Sequence, residues 1–243
     1  MEGNIAAEKK AAKILEMPQR KYRHERKHII NHGDYIILRN RLRMIMKHDS
    51  NVGIDGTYRI RSLYFDNIDD KVLREKINGY DKREKFRIRY YNQDYSYIRL
   101  EKKSKIHGLC GKESVQLTKE QCEQILAGDI QWMLESDEAL LVDFYTKMQY
   151  QQLKPRVLVD YIREPFMYKP GNVRVTLDSE IRTGLYNNNL FDEESLSVIV
   201  PDNQIVLEVK YDEFIPEIIE NMVQLGDRRE SGYSKYAASR MYG

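Results

Sequence analysis

Residues 86–112 read FRIRYYNQDYSYIRLEKKSKIHGLCGK, and basic residues alternate there with apolar ones at the two-residue period of a β-strand. Arg87 and Arg89 share one face of the first strand, and Glu101 and Lys103 share one face of the next. A solvent-exposed strand also carries polar residues on one face. Here, however, that face is mostly cationic and contains carboxylates at interior positions. This pattern predicts a groove that holds a polyanion and a metal ion.

The composition is that of a globular protein with a locally basic site. The 243 residues are 41% hydrophobic, and 40 Lys and Arg against 38 Asp and Glu leave a formal net charge of only +2. A general nucleic-acid-binding protein would carry a larger basic excess, so we expect no nucleic acid as a partner. The two cysteines, Cys110 and Cys122, are too few for a disulfide framework and lack zinc-site spacing, which favours a reducing compartment.

The sequence predicts a single cytoplasmic domain. No apolar run approaches the length that spans a bilayer, and residues 1–13 lack the apolar centre of a signal peptide. We therefore expect no membrane segment. Residues 1–18 are predicted to be an N-terminal helix or tail that ends at Pro18, and residues 19–243 one domain, because no linker or composition shift divides them.

The pattern of periodicities predicts an α+β domain dominated by antiparallel strands. The predicted strands are residues 20–30, 57–66, 83–91, 95–103, 112–117, 156–164, 172–182 and 204–211. The predicted helices are residues 34–47, 118–127, 136–152, 215–225 and 234–241. Asp34 is the predicted N-cap of the first helix, and Thr118 with Gln121 forms a capping box at the start of the second.

Three of these strands carry a carboxylate and a lysine two positions apart, which places both on one face. The pairs are Glu25/Lys27, Glu101/Lys103 and Glu208/Lys210. One such pair is common on an exposed strand, but three on three strands indicate a recurring inward face. There, carboxylates would hold a divalent ion and lysines would hold phosphate oxygens.

A further charged face follows on the strand at residues 172–182. It comprises Arg174, Thr176, Asp178, Glu180 and Arg182, opposite Val173, Val175, Leu177 and Ile181. For residues 178–182, the pattern is equally compatible with a solvated surface and with a functional face.

Several catalytic motifs are absent from the sequence. It has no Walker-type glycine loop, no nucleophile elbow and no HExxH helix, and its five histidines form no metal-binding pattern. A reaction that needs only positioning, a metal ion and dispersed positive charge is phosphoryl transfer.

Taken in order, the charged motifs resemble those of the vacuolar transporter chaperone (VTC) family of polyphosphate polymerases, within the CYTH or triphosphate tunnel superfamily. The resemblance is collinear over about residues 20–241, and it is to a stand-alone, bacterial-like form of the catalytic domain. It rests on ERK at 25–27, SLYFDN at 62–67, KFRIR at 85–89, LEKK at 100–103, GKES at 111–114, RVTLD at 174–178, LEVK at 207–210 and SKY at 234–236.

The resemblance implies a fold, a reaction and a set of site residues. The fold would be an antiparallel β-tunnel, a closed barrel of about eight strands with flanking helices. The reaction would be metal-dependent transfer of the terminal phosphate of ATP to a growing polyphosphate chain. The catalytic residues would be Lys27, Arg87, Arg89, Lys103, Arg174 and Lys235. The substrate-binding residues would be Lys76, Lys112, Arg163 and Ser234, and Mn or Mg would bind Glu208, Glu25 and Glu101.

The implied partners are ATP and inorganic polyphosphate or triphosphate. Eukaryotic members also carry membrane helices and a regulatory inositol-phosphate-sensing module, which this sequence lacks. Coupling of synthesis to translocation would therefore require a membrane-protein partner.

One departure from the superfamily pattern bears on the reaction. The first strand of the wider superfamily carries ExExK, but here Arg23 occupies the first acidic position. Fewer carboxylates and more cations favour holding a long anion over activating water. Two alternatives stay open: an inorganic or nucleoside triphosphatase of the same fold, and a module that binds polyphosphate or triphosphate without turnover.

Overall fold

The computed structural model describes residues 22–184, 187–192, 197–200, 204–226 and 228–241. The predicted N-terminal helix or tail at residues 1–18 lies outside them. In these ranges ten strands form one antiparallel sheet. The strands are β1 (His24–Ile30), β2 (Lys47–His48), β3 (Tyr58–Asp66), β4 (Arg83–Tyr91), β5 (Asp94–Ile106), β6 (Leu109–Leu117), β7 (Lys154–Tyr168), β8 (Val173–Thr183), β9 (Val198–Ile199) and β10 (Ile205–Tyr211).

The main path of the sheet has the order β1-β10-β8-β7-β3-β4-β5-β6, with β2 paired to β7 and β9 to β8. The helices of the described ranges are α1 (His32–Ile45), α2 (Lys71–Ile77), α3 (Lys119–Ala127), α4 (Ala139–Tyr150), α5 (Glu217–Val223) and α6 (Lys235–Arg240). Two 3₁₀ turns lie at Gln131–Glu135 and Pro170–Asn172. The sequence did not predict α2.

The sheet curls until its edge strands β1 and β6 approach each other, but it does not close. Within the described ranges, Arg23 and Cys110 form one isolated bridge, with backbone N···O distances of 3.0 and 3.1 Å. Farther along the same edge, the amide of Ser231 donates to the carbonyl of Lys27 (2.7 Å). The C-terminal segment thus occupies an edge that β6 would need for a ladder. The predicted closed barrel is therefore wrong, and the sheet is an open, curled half-barrel with flanking helices.

Helices cover the convex face of the sheet with two apolar clusters. In the first, α3 and α4 pack on β3–β6, and the ring of Phe144 stacks on that of Phe86 at 5.0 Å. In the second, Leu38 and Leu42 of α1 and Ile219 of α5 pack on β8 and β10. Because the convex face buries these side chains, the alternate positions of the same strands point into the concavity.

A third apolar cluster lies on the concave side, beneath α6. Tyr236 of α6 is buried there, and its hydroxyl donates to the buried carboxylate of Asp66. Asp66 also accepts from the amides of Val72 (2.9 Å) and Leu73 (3.1 Å) at the start of α2. This carboxylate therefore fixes both α2 and α6 to the end of β3.

A β-bulge changes the predicted faces of β8. The register of β7 against β8 shifts between Asp160 and Ile162, and Glu180 adopts a positive φ of 50°. The extra residue moves Ile181 into the concave cluster under α6, away from Leu177 on the convex side. The charged face predicted at residues 174–182 therefore ends at Asp178.

Two prolines lie inside β7, just outside the bounds of the strand predicted at residues 156–164. Pro165 falls between Arg163, where pairing with β3 ends, and Phe166, where pairing with β2 begins. Pro165 stays in register with Thr176 of β8, but on the side that faces β3 and β2 no ladder bond is required, so the missing N–H of proline is tolerated there. Pro155 lies opposite Phe65, next to a shift in register.

No helix in the described part of the chain is both long and apolar enough to cross a membrane.

The N-cap of α1 is Asn31, and the prediction of Asp34 is wrong. The side chain of Asn31 accepts from the amide of Asp34 (2.8 Å), and the carboxylate of Asp34 accepts from the amide of Asn31 (3.2 Å). The two residues form a capping box in which Asp34 occupies the third helical position. The capping box predicted for Thr118 and Gln121 is confirmed.

We expect Asn31→Ala to lower the free energy of unfolding by about 1 kcal/mol, because the amide of Asp34 loses its acceptor. Urea denaturation measures this difference. Asn40→Ala is the control, since Asn40 is exposed within the same helix and alanine has the higher helix propensity. An equal loss of stability in both variants would contradict the capping role.

Candidate active site

The concave face encloses a cavity of about 200 Å³, and a second cavity of about 330 Å³ lies next to it. Both are lined by Glu25, Lys27, Lys85, Lys103, Cys110, Tyr233 and Ser234. Among the described residues, eleven Lys and Arg but only two Glu line the first cavity. The cations are Arg23, Lys27, Lys85, Arg87, Arg89, Lys103, Lys112, Arg163, Arg174, Lys210 and Lys235. The interior is therefore strongly cationic although the protein is nearly neutral.

The structure brings most of the predicted site residues into this first cavity. Its lining contains Lys27, Arg87, Arg89, Lys103, Lys112, Arg163, Arg174, Ser234 and Lys235, together with Glu25 and Glu208. Lys76 lines the second cavity, and Glu101 is buried behind the arginines of β4. The period-two alternation of the strands explains why residues far apart in sequence meet here.

Glu25 and Glu208 form one group with three lysines. Glu25 lies 2.7 Å from Lys27 and 3.1 Å from Lys103, while Glu208 pairs with Lys210 and lies 3.6 Å from Lys27. Burial opposes ionisation of both carboxyls, but the surrounding lysines outweigh it and hold each pKa well below its usual value. Both groups are therefore carboxylates at neutral pH.

Glu101 forms a second group with cations of β4 and β6. Nε of Arg87 donates to its Oε2 at 2.8 Å, and the ammonium of Lys112 pairs with Oε1. Burial again raises the pKa of Glu101, and Arg87, Arg89 and Lys112 lower it further than burial raises it. Arg87 and Lys112 are consequently held in fixed positions beside the cavity.

Asp178 forms a third group that joins β7 to α6. It accepts from Nε of Arg163 at 2.6 Å and from the ammonium of Lys235. Burial raises the pKa of Asp178, but these two cations lower it to about 2. Asp178 is thus part of the site, which the sequence pattern had left open.

Hydroxyl groups also orient Arg87 and Arg89. The sequence pattern did not predict these hydroxyl groups. Arg89 donates to Ser62 Oγ (2.9 Å) and to Tyr161 Oη (2.8 Å), and Arg87 donates to Tyr64 Oη (2.9 Å). In the SLYFDN motif, Ser62 and Tyr64 stand two positions apart. Alternation alone could therefore have placed both on the cationic face.

Lys85 is the cation that the sequence analysis missed. It stands two residues before Arg87 in the KFRIR motif, lines both cavities and lies 5.3 Å from the ring centroid of Tyr64. Among the described residues it has no ion-pair or hydrogen-bond partner. Burial, together with Lys103 and Lys27, lowers its pKa to about 7 despite the opposing effect of Tyr64.

Lys76 lies outside the first cavity. It lines the second cavity with Arg83 and Lys105. Burial lowers its pKa, and nearby Arg83, Lys27 and Lys105 lower it further. The positive charge therefore continues beyond the first cavity.

The carboxylates allow a test of the predicted metal site. No cluster of three or more His, Cys, Asp or Glu suited to a metal occurs within the described ranges. Glu25 and Glu208 are diagonal neighbours on paired strands, because Lys210 is opposite Glu25 and Lys27 is opposite Glu208. Two carboxylates fit Mg²⁺ or Mn²⁺, which are commonly completed by water and substrate phosphates. Glu101 lies in a separate group. The metal roles of Glu25, Glu208 and Glu101 all stay predictions.

Residues 22–242 match the model of the VTC domain. The chain belongs to the VTC domain family. Its fold is similar to that of a candidate adenylyl cyclase from Hippeastrum described as having a dominant triphosphatase activity. The two chains are 13% identical with a TM-score of 0.52, and the match covers 90% of this VTC-domain chain and 95% of the other.

A candidate adenylate cyclase from Bacillus halodurans is 14% identical with a TM-score of 0.48, and the match covers 79% of this chain and 81% of that one. No curated protein matches the chain. The likeness to the Hippeastrum protein shows that this VTC domain shares its fold.

We expect Lys85→Gln to weaken the binding of inorganic triphosphate about tenfold, because a charge-assisted contact is lost. At pH 8 the amine of Lys85 is largely neutral, and a bound anion raises its pKa. When it binds triphosphate, the wild-type protein should therefore take up more protons than the variant does. The difference should be at most about one proton per triphosphate bound. This difference should vanish below pH 6, where Lys85 is already protonated.

Calorimetry in buffers of different ionisation enthalpy measures both the affinity and the proton uptake. Lys82→Gln is the control, since Lys82 is exposed in the turn before β4. Equal proton uptake at pH 8 by the wild type and Lys85→Gln would contradict the assignment.

Proposed function

We propose that this VTC domain is a metal-dependent polyphosphate polymerase that transfers the terminal phosphate of ATP to a growing polyphosphate chain. The observation that carries the proposal is the lining of the first cavity, with eleven cations against two carboxylates among the described residues. Such an excess matches a ligand with several negative charges in a row. A single phosphate monoester would leave most of these cations unneutralised.

The cations are held in place before the substrate arrives. Arg87 is fixed by Glu101 and Tyr64, Arg163 and Lys235 by Asp178, and the lysines of β1, β5 and β10 by Glu25 and Glu208. Fixed charges need little reorganisation when negative charge redistributes over a transferring phosphoryl group. We propose that the transferring phosphoryl group is stabilised by Lys27, Arg87, Arg89, Lys103, Arg174 and Lys235. Lys112, Arg163, Ser234 and Lys76 would hold the remainder of the anion.

The carboxylates favour transfer to phosphate over hydrolysis. Arg23 occupies the position that is acidic in the wider superfamily and pairs with Asp212 at 2.8 Å, so this position supplies no carboxylate that could activate water. Glu25 and Glu208 would hold Mn or Mg, which supplies charge neutralisation on the phosphate oxygens. The shared lining of the two cavities supports the proposal as well, because it places them side by side along the path that a linear chain would need.

The first test is incubation of the protein with ATP and Mn²⁺ or Mg²⁺, with and without a short polyphosphate primer. We expect a ladder of polymer on a gel with a matching amount of ADP. Arg87→Gln should slow polymer formation about a hundredfold or more, and Glu101 keeps Lys112 as a partner in this variant. Arg59→Gln is the control, because Arg59 is exposed on β3.

The same assay separates the alternatives. Release of phosphate without polymer would favour a triphosphatase, the activity described for the Hippeastrum protein of similar fold. Saturable triphosphate binding without turnover would favour a binding module. Either result would overturn the polymerase.

A second test concerns the metal. Glu208→Gln should abolish the increase in rate with Mn²⁺ or Mg²⁺ while inorganic triphosphate still binds, since the variant loses a ligand for the ion but gains net positive charge. Calorimetry measures the triphosphate binding and the polymer assay measures the metal dependence. Glu213→Gln, at an exposed position after β10, is the control. Unchanged metal dependence in Glu208→Gln would remove Glu208 from the metal site.

A further inference from the structure

We infer that Tyr91 and Tyr97 form a stacking platform that holds the base of the nucleoside triphosphate at the mouth of the first cavity. The inference rests on the proposed function and identifies residues by which the protein would distinguish a nucleotide donor from inorganic triphosphate. The two tyrosines stand on β4 and β5, on either side of a two-residue turn.

The rings lie where a base would emerge from the cavity. Tyr91 lines the cavity, and its ring centroid is 6.2 Å from that of Tyr97 at an interplanar angle of 39°. Tyr58 meets Tyr91 edge-on at 5.5 Å and 80°. Tyr97 itself is 48% exposed. An aromatic surface thus extends from the cavity wall towards solvent.

Two arginines connect this surface to the phosphate-binding cations. The guanidinium of Arg89 lies 6.0 Å from the ring centroid of Tyr91, and that of Arg99 lies 5.5 Å from the ring centroid of Tyr97. Arg99 donates to the carbonyl (3.1 Å) and the hydroxyl (2.8 Å) of Ser114. Only one ring therefore separates Tyr97 from an arginine of the phosphate site, and Arg99 restrains the ring of Tyr97 from one face.

The turn between the strands restrains the platform. Asn92 and Gln93 both have positive φ, 47° and 60°, as in the hairpin turns that match strand twist. The side chain of Asn92 accepts from the amide of Arg59 at 2.8 Å. Because the turn is fixed to β3, the backbone that carries both tyrosines is restrained.

A free nucleotide fits this arrangement better than a nucleic acid. The phosphates would enter a cavity of about 200 Å³ whose walls are cationic. A strand carrying a base on every phosphate could not follow them inside, whereas a nucleoside triphosphate has its only base at one end. Stacking requires a π face and no particular hydrogen-bonding edge, so purines should bind more tightly than pyrimidines through their larger rings.

The test compares β,γ-imido-ATP with inorganic triphosphate by calorimetry in the presence of Mg²⁺. We expect Tyr97→Ala to weaken the binding of imido-ATP about tenfold while the affinity for inorganic triphosphate is unchanged. Tyr97→Phe should retain the affinity for imido-ATP because it keeps the ring. Tyr150→Ala is the control, since Tyr150 is 85% exposed on α4 at the convex face.

The outcomes distinguish this inference from the function on which it rests. Tyr97→Ala could bind inorganic triphosphate normally and show the wild-type ratio of affinities for imido-ATP and inorganic triphosphate. That result would overturn the platform alone. Failure of the wild-type protein to bind inorganic triphosphate would overturn the proposed function and the platform together. Tighter binding of a single-stranded oligoadenylate than of imido-ATP would overturn the platform and assign the tyrosines to nucleic acid.

Discussion

Repulsion between cations buried on one concave surface is the constraint on which the structure depends. Charges this close in a medium of low polarity would force the strands apart without carboxylates between them. Each carboxylate therefore serves cations from more than one element. Glu25 on β1 pairs with Lys103 on β5, across the gap between the two edges of the sheet, and Asp178 on β8 pairs with Lys235 on α6. These ion pairs hold the curl where the backbone ladder stops.

The same constraint accounts for a site that stays folded without a ligand and keeps the excess positive charge that the proposed function requires. The carboxylates neutralise only part of the charge, so the cavity is stable but still attracts anions. Lys85 shows the balance most clearly, since it has no carboxylate partner within the described ranges and burial lowers its pKa to about 7. In the proposed function, a phosphate chain would supply the missing negative charge at the places where the protein does not.

Much of this arrangement was readable from the sequence because period-two alternation decides which side chains share a face. The strand at residues 83–91 has the bounds that alternation predicts, and nine cations and hydroxyls that the family resemblance implies line one cavity. Alternation fails where the backbone adds a residue, as at Glu180, whose bulge sends Ile181 inward. Alternation also cannot show whether the two edge strands of a sheet pair with each other. The closed barrel was wrong because Ser231 binds the edge at Lys27, a contact that has no local sequence signal.

The contact between Tyr236 and Asp66 has a consequence for the order in which the site is assembled. Lys27 comes from the first strand, and Lys235 comes from the helix that Asp66 fixes near the other end of the described chain. Contacts so distant in sequence form late and slowly during folding. An incompletely folded chain would present its cations separately, without the convergent charge that attracts a polyanion. Polyphosphate would then bind the native state preferentially, and by mass action it would shift the folding equilibrium towards that state.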